Sequence, residues 1–161
     1  MKKAQLFSIC TIVLAVLGLI LYMFLPAIKY DATIGNDVTY SGINVIFGKK
    51  ETASIAGIIT VGGYVLKFSF LLFLGFFFAL AGIVITILPL VGVKVKLFPI
   101  IALACFVVAA LFAFLSKACC VAGNGNMGAG DAWQLGIGAI IAGICYILAA
   151  CTSALPVVLK K

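Results

Sequence analysis

Long charge-free apolar runs, separated by short polar stretches, organise the whole chain. Four such runs, at 4–28, 68–93, 97–116 and 132–159, are each 20 to 28 residues long. About 20 apolar residues cross a bilayer core as a helix. Lipid cannot hydrogen-bond an open backbone, so the helix is the only open-ended form that spans. The pattern therefore predicts an all-α membrane protein, one domain over 1–161, with four transmembrane helices at about 4–28, 66–89, 97–116 and 132–157. An outer segment, 29–65, joins the first two helices, and an outer loop, 117–131, joins the last two.

Small residues recur on the predicted helices at spacings of three, four and seven. They are Thr11, Ala15 and Gly18; Gly75, Ala79, Gly82 and Thr86; Ala102, Ala109 and Ala113; and Ala132, Gly136, Ala139, Gly143 and Ala150. In lipid, close backbone approach drives helix association, so these seams mark the contact faces. Their alternation fits a left-handed bundle with crossings near +20°. Phe70, Phe73, Phe76, Phe77 and Phe78 are too many for one side of a helix, which leaves some of them facing lipid or a neighbouring subunit. Tyr22, Tyr30, Tyr64 and Trp133 fall near the outer interface, where amphipathic rings prefer to sit. Tyr146 lies deep in the fourth run and is expected to hydrogen-bond within the bundle. Asp131 and Gln134 resemble an acidic capping box opening the fourth helix. Pro89 and Pro156 fall near span ends, where they cost little.

The outer segment carries a different pattern. Asp37-Val38-Thr39-Tyr40 and Ile43-Asn44-Val45-Ile46-Phe47 are β-prone, separated by Ser41-Gly42 and followed by Gly48-Lys49-Lys50. A further apolar stretch, Ile55–Val61, ends at Gly62-Gly63, a natural break before the second span; it is expected as a strand or as a helical extension above the membrane. The prediction is a small β-containing outer element resting on the bundle. Four spans, inner termini and a long β-prone first outer loop resemble the layout of claudins and related tetraspan proteins. The tryptophans and cysteine pair of the claudin first loop are absent, since the only Trp is Trp133 and residues 29–67 hold no Cys. No functional residue is carried over.

Composition supports a lipid-embedded chain. Hydrophobic residues make up 66% and charged residues 9%, against about a quarter charged in soluble domains. All eleven basic residues are lysines, and four acids leave a net charge of +7. Without Arg, and with lysines single or paired, no nucleic-acid groove can be assembled. Without His, the usual acid–base group and the commonest metal ligand are both missing.

Lysine placement orients the chain. Lys2, Lys3, Lys94, Lys96, Lys160 and Lys161 fall on one side with no acid. Asp31, Asp37, Glu51 and Asp131 all fall on the other, with Lys29, Lys49, Lys50, Lys67 and Lys117. The positive-inside rule puts the first group, and both termini, in the cytoplasm. The first run exceeds a signal-peptide core and no small-x-small site follows it, nor does Phe7-Ser8-Ile9 before Cys10 look like a lipoprotein site; it is read as a retained span.

Candidate chemistry is sparse. Cys10, Cys105 and Cys151 would share a depth in the inner half of the membrane, where three thiolates could hold Cu(I). No CxxC or Cys/His spacing accompanies them, and Cys also behaves as a small buried hydrophobe. Cys119-Cys120 could be a plain reduced pair, an acylation site or a link to a second subunit. Residues 123–128, Gly-Asn-Gly-Asn-Met-Gly, match G-x-G-x-x-G, but that fingerprint has meaning only between a strand and a helix facing the cytosol; here it reads as a tight outer turn. Lys67 is expected to snorkel outward. No buried acid or histidine offers a proton relay.

These features predict no catalytic residue, no metal and no cofactor, and a chain that is not an enzyme. The expected role is that of a non-catalytic structural, adaptor or accessory subunit of a bacterial plasma membrane. It would act through its outer segment, where Lys49, Lys50 and Glu51 are the recognition candidates, or through lateral helix contacts. Its partners would be membrane lipids and either further copies of itself or another membrane protein. The alternative is an oligomeric channel or the membrane subunit of a transporter, with any passage lying between copies.

Overall fold

The computed structural model describes residues 3–31, 38–55, 59–93, 95, 97–124 and 132–158. Four long helices dominate: α1 (Lys3–Phe24), α3 (Phe70–Ile87), α4 (Phe98–Phe114) and α6 (Ile137–Val158). Two short helices, α2 (Gly42–Phe47) and α5 (Ser116–Gly123), lie at the end of the bundle that carries the sheets. Five strands complete the fold: β1 (Pro26–Tyr30), β2 (Val38–Ser41), β3 (Lys49–Ile55), β4 (Ile59–Leu66) and β5 (Trp133–Leu135). They form a three-stranded antiparallel sheet in the order β2-β1-β5 and a separate β3–β4 hairpin.

Three helices are long and apolar enough to cross a membrane, within 5–24, 70–87 and 137–156. The pair α4 and α5, bent by 66° at their junction, makes a fourth if it counts as one span. The bend falls where Ser116 Oγ donates to the Ala113 carbonyl at 2.7 Å. Such side-chain bonds to the preceding turn compete with the helical ladder.

The bundle is inside-out by the standards of a water-soluble protein. Leu6, Ile9, Val13, Leu17, Ile20 and Phe24 form an exposed apolar stripe down α1, while Thr11, Ala15 and Gly18 are buried. On α3 the expected seam of Gly75, Ala79, Gly82 and Thr86 is buried, and Phe70 and Phe77 stand exposed. Ala102, Ala109 and Ala113 are buried on α4, as are Gly136, Ala139, Gly143 and Ala150 at and along α6; Ala132 is half-buried. Apolar surface this extensive, alternating with a small-residue interior, matches a chain whose solvent is hydrocarbon. Around the ring the main helix contacts run α1–α6, α6–α4 and α4–α3. Gly18 backs onto Cys145, and Gly82 onto the fully buried Phe106.

Several elements differ from the sequence-based expectation. The first helix stops at Phe24, because Pro26 cannot continue it, and 26–30 become a strand. The stretch 43–47, expected as β, is helical: Val45 and Ile46 are both fully buried while Ile43 and Phe47 are exposed, a pattern that period-two alternation cannot produce. Gly48 ends this turn at φ +86°, a left-handed value that favours glycine. Gly62 and Gly63 are not a break but lie inside β4, paired with Thr52 and Glu51. Gln134 does not cap a helix; it lies in β5, and Asp131 is outside the described residues. Also outside them are Lys2, Lys94, Lys96, Lys160, Lys161, Asp37 and residues 125–128 of the glycine motif.

Candidate functional site

The segments that follow α1 and precede α6 fold together. β1 leaves α1 directly and pairs on one side with β2, from the same segment, and on the other with β5, from the second. Ile28 faces Leu135 in register, Lys29 faces Gln134, and Tyr30 faces Trp133. The Gly136 N–H donates to the Ala27 carbonyl at 2.8 Å, and that of Asp31 to Ala132 at 2.8 Å, which extends the zipper past both strand ends.

Trp133 is the centre of this cap. It is buried, 4.9 Å from the Tyr30 ring and 6.0 Å from that of Tyr40. Lys49 places its ammonium 5.5 Å from the Tyr40 ring centre, within cation–π range. Tyr22 and Trp133, expected near the outer interface, are both buried. At the edge, Asp31 pairs with Lys29 at 2.9 Å and accepts a hydrogen bond from the Gln134 side-chain amide. Both charges are over a third exposed, so the ion pair itself stabilises by about 1 kcal/mol or less.

Beneath the sheet, hydroxyls and amides tie the helix ends to the cap. Tyr22 and Ser116 share a hydrogen bond of 2.9 Å; since Ser116 donates to Ala113, the Tyr22 hydroxyl is the donor. Asn124 is buried at the end of α5. Its amide nitrogen donates to the Cys120 carbonyl at 2.8 Å, and its amide oxygen accepts from the Lys67 backbone N–H. This latch joins α5 to the link between β4 and α3. Lys67 itself is exposed.

Below the cap, a small crevice between the four long helices is lined by Tyr22, Gly75, Phe112 and Tyr146 among others. Tyr146 is buried and lines this crevice. The polar contact deeper between α1 and α6 is Thr11 to Thr152, at 2.8 Å.

The cysteines are all free. Cys10 and Cys151 are exposed on the apolar surface, whereas Cys105 and Cys145 are each buried. Among the described residues no three of His, Cys, Asp or Glu gather as a metal site. Cys119 and Cys120 are both buried and both free. They lie beyond the α4–α5 bend, where burial pushes the Cys120 thiol up to about 11 against a smaller opposing effect of the Asn124 amide. Both thiols should resist an impermeant alkylating reagent in the folded protein and react within seconds to minutes after denaturation in SDS; prompt labelling at pH 7 before denaturation would contradict their burial.

Lys50 and Glu51 follow Lys49 in β3, with Glu51 opposite Gly63 and Lys50 opposite Tyr64. Thus, of the outer recognition candidates, Lys49 is built against the cap and Lys50 stands exposed. Sequence reasoning missed Ser116, Asn124 and the Asp31–Gln134 contact. The alternation in Trp133-Gln134-Leu135 was the available signal for β5; nothing local marks Asn124, whose two partners are far apart in the chain.

Neither the protein-family models nor the curated proteins compared with this chain give a match.

Proposed function

We propose that the chain is a non-catalytic four-span protein of a bacterial plasma membrane, with both termini cytoplasmic and a claudin-like layout of left-handed bundle and outer β-element. It acts as a structural, adaptor or accessory subunit through the outer cap or through lateral helix contacts. One observation carries this reading: β5, from the second outer segment, completes a sheet with β1 and β2 of the first. A chain that needed only to cross the membrane could join its helices with short turns. This one builds a packed platform on its helix ends and mounts a hairpin beside it. Ala15, Phe106, Ala109 and Ala142 fill the space between the helices of one copy.

The test is the mass of the detergent-solubilised particle and whatever co-purifies with it. Replacing Lys49, Lys50 and Glu51 together by alanine should lower recovery of a bound partner by about tenfold, the equivalent of 1.4 kcal/mol. If every partner stays bound, recognition through this edge is wrong. A ring of copies that makes vesicles leaky to small ions would instead support the channel. Reporters fused to the two ends and emerging on opposite faces would overturn the topology.

A further inference from the structure

The crevice below the cap brings two phenols from different helices to one small space. Its volume is about 10 Å³, and Gly75, Ala109, Phe112 and Ala113 are among its apolar walls. Tyr22 of α1 and Tyr146 of α6 are its two polar residues. Both are buried, at 6% and 4% exposure. A buried hydroxyl costs free energy unless it is hydrogen-bonded, and hydrocarbon around the helices has no water to supply the bond. A molecule bonded to both phenols would tie the two helices together.

The hydrogen bonds at Tyr22 have a direction. Ser116 Oγ donates to the Ala113 carbonyl at 2.7 Å, so it accepts from the Tyr22 hydroxyl across 2.9 Å. The Tyr22 oxygen has then used its proton but keeps lone pairs that can accept. Tyr146 brings a hydroxyl proton that can be donated. A molecule that accepts from Tyr146 and donates to Tyr22 therefore completes a one-way chain, and hydrogen bonds aligned in this manner strengthen one another. Size decides which molecule. A space of about 10 Å³ is close to the least that holds one water. A lipid acyl chain is far larger, and the wall between α3 and α4 has no slack: a Cβ built at Gly75 would lie 2.5 Å from Phe112 Cβ.

We propose that the crevice is a binding site for a single water molecule, which accepts a hydrogen bond from Tyr146 and donates one to Tyr22. The chain then runs from Tyr146 through the water, Tyr22 and Ser116 to the Ala113 carbonyl. It links α6 and α1 to the α4–α5 bend, where Ser116 sits. β1 follows α1 and β5 precedes α6, so the same chain holds the two helices on which the main sheet is built. The water thus sets the footing of the cap from inside the bundle.

The experiment uses the full chain in phosphatidylcholine nanodiscs, with alanine methyls labelled for NMR in a deuterated background. The Ala109 and Ala113 methyls should give cross-peaks to water. Ala104, exposed on the outer side of α4, is the control and should meet acyl chains alone. Acyl-chain cross-peaks at Ala109 and Ala113 would put lipid in the crevice and overturn the proposal, as would the lack of a water cross-peak at both. Water rather than lipid at Ala104 would count against the membrane reading, whichever result the crevice gives. Unfolding in mixed micelles supplies the second arm. Tyr146→Phe should lower the folded-to-unfolded ratio by about tenfold, the upper range for one hydrogen bond. Tyr22→Phe with Tyr146→Phe should then lose no more than Tyr22→Phe alone, because either change breaks the same chain. Losses that multiply in the double variant would show that no shared water joins the two phenols.

Discussion

Gly75→Ala is expected to destabilise the bundle by about 2–3 kcal/mol, the upper part of the range for overpacking a well-filled core. A Cβ built at Gly75 would lie 2.5 Å from Phe112 Cβ. That atom is fixed to the α4 backbone, so no rotamer change relieves the contact; α3 and α4 must separate. Separation would also undo the neighbouring contact, where Gly82 rests on the fully buried Phe106 ring. Gly143 is the control. There the nearest atoms are Cζ and Cε2 of Phe114, at 2.6 and 2.7 Å, and this ring is 37% exposed. The tip can swing outward, so Gly143→Ala should cost less than about 1 kcal/mol. Unfolding in mixed micelles, followed as SDS fraction is raised, gives both numbers. A midpoint for Gly75→Ala equal to that of the parent, or a larger loss at Gly143, would show that close approach of α3 to α4 does not hold the bundle.

That contrast also shows which information was legible in the sequence. The seams on all four long helices were readable because burial in lipid selects residue size, and size repeats with the helical period. Helix ends were less legible. Charge-free length marks where a segment can be in hydrocarbon, not where its hydrogen-bonding pattern changes, so Ala27 and Ile28 read as span although they are buried in a sheet. The outer segment exposed a different weakness. Val45 and Ile46 carry β-branched side chains, and strand propensity is mostly a statement about packing surroundings; here the ends of α1 and α3 supply a pocket that a single helical turn fills. The Ile55–Val61 stretch stayed undecided between strand and helix because its pairing partner, 49–55, is itself polar on one face. Least legible was the union of the two outer segments. A three-residue strand and a buried asparagine gain their meaning from residues about a hundred and about sixty positions away, and local periodicity carries no trace of that.

Trp133→Ala is the substitution that tests this union, and its expected cost is about 3–5 kcal/mol, the range for deleting a buried large aromatic. The indole is the shared wall between strands from different outer segments: Tyr30 is its register partner on β1, and Tyr40 reaches it from β2. Alanine would leave a void beneath the sheet beside the Tyr30 and Tyr40 rings, and the short β5 has only Gln134 and Leu135 left to hold its register. The long helices should remain inserted, because none of their apolar surface is altered. The effect should therefore be local. Amide exchange at Ile28, Lys29 and Tyr30 should accelerate by roughly two to three orders of magnitude, while the amides of α3 and α6 keep their protection. Protease added to the outer face should cut between β1 and β2 or ahead of β5 in the variant at concentrations that leave the parent intact. If exchange in β1 is unchanged, the cap is not held by Trp133. If α3 and α6 lose protection in parallel, cap and bundle form one cooperative unit, and the platform cannot be treated as a module mounted on the spans.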